Sequence, residues 1–178
     1  MPLARENIYT TEDIYNLPEG QRAELIDGNM YMMAPPNRQH QEIAGEIYRK
    51  VANYISSKNG ECKPYIAPFA VFLNKDDKNY VEPDISVICD KNKLNDQGCL
   101  GAPDWIIEVV SPGSQRMDYM TKLFKYRTAG VREYWIVDKQ KNRITVYNFQ
   151  NDDVAEYTFN DLVKAGIYTD LEIDFSEL

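Results

Sequence analysis

The segment PDWIIEVVSPGS, residues 103–114, constrains this chain more than any other. Its apolar run reads as a buried strand, yet a carboxylate, Glu108, sits at its end. A carboxylate taken out of water is costly unless a cation, a metal ion or hydrogen-bond donors meet it. Val110, two residues on and on the same strand face, carries no charge. The compensating group has to come from elsewhere in the chain.

Periodicity and turn chemistry order the rest. TTEDIYNLP reads as a short helix capped by Thr10 or Thr11 and stopped by Pro18. RAELIDGNMYMM reads as a hairpin turning at Asp27-Gly28. In residues 35–60, Ile43, Ile47, Val51, Tyr54 and Ile55 recur at helical spacing, and Gly60 ends the pattern. CKPYIAPFAVFL and NYVEPDISVIC read as strands paired through the turn NKDDKN, and residues 90–103 as a long polar loop. DWIIEVVS is a third strand, and DYMTKLFKYRTAG a second helix closed by Gly130. EYWIVD and RITVYNF are strands joined by KQKN, with a β segment trailing behind them. This order predicts an α/β fold with a mixed central β-sheet flanked by helices, in one domain over residues 1–178.

Charge and cysteine usage narrow the setting. The net charge is −8, but residues 151–178 hold eight acids and one base, which leaves the first 150 residues nearly neutral. Between Ser111 and Arg132 five bases face a single acid, Asp118. Local field steers a ligand more than the total does, so a polyanionic partner is compatible with the acidic sum. Three cysteines without C-x-x-C spacing and a single histidine argue against structural zinc. They are expected as free thiols of a reducing compartment. MPLARENIYT has no apolar signal region and no run is long enough to span a bilayer, so a cytoplasmic location is expected and a membrane partner is not.

Asp84, after Pro83, lies on the strand before the Glu108 strand. Opposed side chains on paired strands stand about 5 Å apart. Paired that way, Asp84 and Glu108 can chelate one hard cation, with the Val109 carbonyl as a third ligand; Mg²⁺ accepts such a set, completed by waters. Asp104 shares the Glu108 face but lies ~13 Å away along the strand, too far to join the same ion. It reads instead as the residue that leads into the strand. Lys122, Lys125, Tyr126 and Ala129 share one face of the following helix. Lys122, next to Leu123, is the candidate to point inward, where an ammonium can orient water and offset phosphate charge.

AELIDG, PPNRQHQEI, VEPDISVI, GAPDWIIEVVSPGS, DYMTKLFKYRTAGVREYWIVD and ITVY together closely resemble the Uma-two family of putative restriction endonucleases, of the PD-(D/E)XK nuclease superfamily, over about residues 10–175. The resemblance implies a restriction-endonuclease-like fold, a Mg²⁺ site with Mn²⁺ as the alternative ion, DNA as substrate and a homodimer. Carried over by motif, Asp84 takes the first acid place and Glu108 the second. The superfamily's lysine, which would stand at Val110, is displaced to Lys122. Glu24 and His40 also fall on family positions, Glu24 as a further metal or water ligand and His40 as a phosphate contact, a cap or a packing residue. The expected function is metal-dependent cleavage of phosphodiester bonds. The alternatives are a catalytically inactive nucleic-acid-binding or regulatory module, or a small-molecule or protein-binding domain, on the same fold.

Overall fold

A computed structural model describes residues 8–178. Helix α1 (Thr11–Tyr15) starts at Thr10, whose backbone N–H donates to the Asp13 carboxylate at 2.7 Å. Strands β1 (Arg22–Ile26) and β2 (Asn29–Met33) form the expected hairpin. Asp27 and Gly28 both take positive φ there, 50° and 77°, as a two-residue turn requires. Helix α2 (Arg38–Ser57) is capped by the Asn37 side chain. It ends three residues before Gly60, because Asn59 adopts the left-handed conformation and the Gly60 N–H bonds back to the Ile55 carbonyl.

Strand β3 (Lys63–Ile66) and β4 (Val71–Phe72) replace the single strand expected over residues 62–73. The break falls at Ala67–Pro68, a cis peptide, and Pro68 has no N–H to offer a ladder. Of NYVEPDISVIC, only β5 (Ile85–Ile88) is a strand; Tyr80 and Val81 make isolated bridges to Leu25 and Val71. Residues 90–103 are not a long loop. They hold a 3₁₀ turn, then β6 (Leu94–Asn95) and β7 (Gly98–Leu100), in a small sheet ordered β4-β7-β6. Gly98 makes this possible: at φ 145°, a β-carbon there would stand 2.2 Å from the Ala70 carbonyl oxygen.

Strand β8 (Trp105–Val109) leads through Ser111–Arg116 into a π-helical turn, Met117–Lys122, continuous with α3 (Leu123–Ala129). Then follow β9 (Glu133–Asp138), β10 (Arg143–Asn148), β11 (Asp153–Tyr157), β12 (Leu162–Lys164) and β13 (Glu172–Asp174). The six-stranded sheet runs β11-β10-β9-β8-β5-β3 and is mixed: β8 and β9 are parallel, the other pairs antiparallel. The parallel pair needs a crossover, which the π-turn and α3 supply. One face packs α2 and the β12–β13 hairpin through Ile47, Trp105, Ile107, Trp135 and Phe175. The other face packs α3 and neighbouring segments through Ile88, Ile106, Tyr126 and Tyr134.

One expectation fails here. Cys62 and Cys89 are not free thiols but a disulfide, because Lys63 pairs with Ile88 and the residues just outside that register face each other. Cys99 alone is free, and it is buried. The trailing strand β11 pairs with β10 and forms one edge of the six-stranded sheet. Among the described residues no helix is long and apolar enough to cross a membrane.

Two substitutions on α2 test the packing. Ile47 is fully buried against the sheet, so Ile47→Ala is expected to cost about 2–5 kcal/mol in urea unfolding. Gly45 lies mid-helix with open space where a β-carbon would stand, so Gly45→Ala is expected to gain about 0.5–1 kcal/mol.

Candidate active site

Antiparallel pairing of β5 and β8 matches Ile85 with Ile107, so Asp84 lies opposite Glu108. The two are linked through the backbone. The Val109 N–H donates to Asp84 Oδ2 at 2.7 Å, and the Asp84 N–H donates to Glu108 Oε2 at 3.3 Å. Strand alternation sends Ile106 and Glu108 to the α3 face and Ile107 and Val109 to the α2 face. On the α3 face Lys122 Nζ reaches Glu108 Oε1 at 2.8 Å and Glu24 Oε2 at 2.9 Å. The Tyr126 hydroxyl donates to Glu108 Oε1 at 2.7 Å, and Glu24 Oε1 accepts the Glu82 N–H at 2.9 Å. Glu24, Glu108 and Lys122 are each about 95% buried.

Lys125, on the same helix, is equally buried but serves another partner: its Nζ lies 2.5 Å from Asp27 in the hairpin turn. Of the two helical lysines, only Lys122 is joined to the acids. His40, third residue of α2, places Nε2 3.1 Å from Asp84 Oδ2. Asp104 is apart from the group, accepting the Cys89 N–H and pairing with Arg132. Two members escaped the sequence reading. Asp118 is buried and accepts from the Ser114 hydroxyl at 2.5 Å, and Tyr126 is the donor described above. The available signal was the fourfold spacing Asp118, Lys122, Tyr126, which puts all three on one side of the helix.

Four carboxylates, Asp84, Glu24, Glu108 and Asp118, therefore gather around the Lys122 ammonium and the His40 ring. Burial pushes the Glu108 carboxyl well up; the Lys122 ammonium opposes this, while Asp84, Asp118 and Glu24 reinforce it. Burial likewise raises Asp118, to about 6, against Lys122 and the Ser114 hydrogen bond. Lys122 keeps its proton: burial alone would lower it, but Glu108, Glu24 and Asp118 together hold it well above the usual lysine range. Burial would lower His40 too, but the Asp84 carboxylate, the Val109 carbonyl and Asp118 together more than offset it.

Residues 11–174 match the Uma2 family, described as "Putative restriction endonuclease". The chain belongs to the Uma2 family. It is 25% identical over 134 residues to the uncharacterized protein slr1290 of Synechocystis sp., covering 75% of this chain and 68% of that protein. A crystal structure of "a putative nuclease belonging to DUF820" from Anabaena variabilis superposes with a TM-score of 0.76 at 19% identity, over 94% of this chain and 96% of that one. At that identity the likeness speaks for the fold, which is of the restriction-endonuclease-like type.

Does the Uma2 constellation suit a metal ion? Among the described residues no three His, Cys, Asp or Glu side chains form a complete cage. Mg²⁺ does not require one, since one or two carboxylates, a carbonyl and several waters suffice. Asp84 and Glu108 supply the carboxylates. The Val109 N–H points to Asp84, and the Val109 carbonyl faces the His40 ring beside it. The donors are hard oxygens and acids outnumber bases, so the set fits a divalent cation.

Asp118 gives the site a pH signature. An acid whose folded pKa exceeds its unfolded value binds its proton more tightly when folded, so stability is lost as pH rises from about 4 through about 6. Asp118→Asn is expected to remove that slope, raising the stability of the metal-free protein at pH 8 by roughly 1–3 kcal/mol and leaving it little changed at pH 4. Urea unfolding at the two pH values checks it.

Proposed function

We propose that this chain is a Mg²⁺-dependent nuclease that hydrolyses phosphodiester bonds of DNA. The observation that carries the reading is the Lys122 ammonium, buried between Glu24 and Glu108 beside the opposed Asp84. The printed descriptions of the family and of the structural neighbour, both naming a nuclease, support the same class. In this reading Asp84, Glu108 and the Val109 carbonyl hold the ion, which supplies Lewis acidity and an activated water. Lys122 answers the negative charge that grows on the phosphate oxygens. Glu24 fixes the ammonium, and Tyr126 fixes the Glu108 carboxylate. Mn²⁺ serves in place of Mg²⁺.

One observation favours a second reading, a catalytically inactive nucleic-acid-binding module. Glu108 Oε1 already has two donors, Lys122 and Tyr126, and so needs no ion. Incubation with supercoiled, linear and single-stranded DNA separates the two. Cleavage is expected with Mg²⁺ or Mn²⁺ and binding without cleavage with Ca²⁺. Asp84→Ala and Glu108→Ala are expected to lose metal binding and cleavage together. Lys122→Ala should keep metal binding and cleave at least 100-fold more slowly, since its part lies in the transition state. Retained DNA binding with no cleavage under any metal establishes the inactive module instead.

A further inference from the structure

We propose that His40 is a direct ligand of the metal ion, so that the site takes one imidazole nitrogen beside its oxygen donors. This rests on the metal site proposed above and adds a member to it.

The argument begins with how α2 delivers the ring. Asn37 caps the helix by accepting the backbone N–H of His40, so the helix start is fixed without help from the His40 side chain. Ile43, Ala44 and Ile47, on the following turns, are buried in the core against the sheet. The imidazole is thereby carried to the end of β5, where Asp84 stands, and only 11% of it remains exposed. A capping role is already filled by Asn37. A packing histidine would satisfy both ring nitrogens, yet Nδ1 is buried with no partner among the described residues. A phosphate contact would turn a nitrogen outward, yet Nε2 faces Asp84.

The spacing itself is that of two ligands. Neighbouring donors of an octahedral ion at ~2.1 Å stand ~3.0 Å apart. His40 Nε2 and Asp84 Oδ2 are 3.1 Å apart, so one ion can take both with little movement of either. The Val109 carbonyl lies beside the same ring and offers such an ion a further oxygen. Glu108, held by Lys122 and Tyr126 through Oε1, keeps Oε2 toward Asp84 and closes the set directly or through a water. An imidazole nitrogen favours first-row transition ions over Mg²⁺, so Mn²⁺ is expected to bind at least ten-fold more tightly than Mg²⁺.

The chain holds one histidine, which makes the test unambiguous. Pulsed EPR of the Mn²⁺-loaded protein, freed of any affinity tag, is expected to show modulation from a directly bound nitrogen. Labelling histidine with ¹⁵N should change that modulation, and Asp84→Asn should abolish Mn²⁺ binding. His40→Gln should lose the nitrogen signal and weaken Mn²⁺ at least ten-fold, but the labelled wild type decides the matter even if that variant fails to fold. Mn²⁺ bound in an Asp84-dependent way with no nitrogen modulation overturns the His40 assignment and leaves the proposed metal site standing. No Mn²⁺ bound at millimolar concentration overturns the metal site itself, and this inference with it.

Discussion

The Lys122 ammonium is the constraint on which the rest of this structure turns. It joins β1, β8 and the π-helical turn through Glu24 and Glu108, residues far apart in sequence. Removing one partner of such a buried group leaves an uncompensated charge, at a cost of several kcal/mol. The same clamp leaves carboxylates in excess. Glu24, Glu108 and Asp118 gather around it and raise its proton affinity, and Asp84 stands beside Glu108. The contact that holds the layers together therefore also maintains a field that a divalent cation would relieve. Stability and the proposed chemistry draw on the same atoms.

The sheet separates this field from the acids of the trailing β12–β13 segment. The trailing segment from Phe159 to Phe175 packs on the α2 face, where Lys50 meets the Asp174 carbonyl and Lys58 meets Asp170. Lys122, Tyr126 and the buried acids occupy the opposite face. The total charge of −8 thus says little about the surroundings of Glu108. A polyanion approaching the strand ends meets a local balance of charge, not the sum over the chain.

Much of the site was legible because it follows from strand register. Asp84 and Glu108 belong to consecutive long apolar segments, and antiparallel pairing of such segments sets the two acids opposite each other. The helical origin of the lysine was legible from the absence of a cation at Val110. The choice of Lys122 over Lys125 followed from its neighbour Leu123, and both lysines proved buried with different acids. Other features had no periodic signature. The Cys62–Cys89 disulfide depends on which strand lies beside β3, which the 27-residue separation does not disclose. The small β4-β7-β6 sheet depends on Asn95 taking the Gln97 and Gly98 amides and on Gly98 fitting against Ala70. His40 meets Asp84 across 44 residues of chain, by the docking of α2 alone.

That docking gives the site its direction. Side-chain exposure rises from about 5% at Glu108 and Glu24 to 11% at His40 and 17% at Asp84. The group is thus closed behind by α3 and opens past the ends of β5 and β8, beside the start of α2. The positive end of the helix dipole lies on that side, and the nearby Arg38 is exposed. An incoming phosphate would meet Asp84 and His40 first and Lys122 last. In the proposed reading, the shallow Asp84–His40 pair would hold the ion and the deeper Lys122 ammonium would take up charge. A lysine carried on the strand beside Glu108 could not supply this separation in depth, because it would share the depth of the acid it follows. In that reading, a helical lysine would keep the charge and change the depth from which it acts.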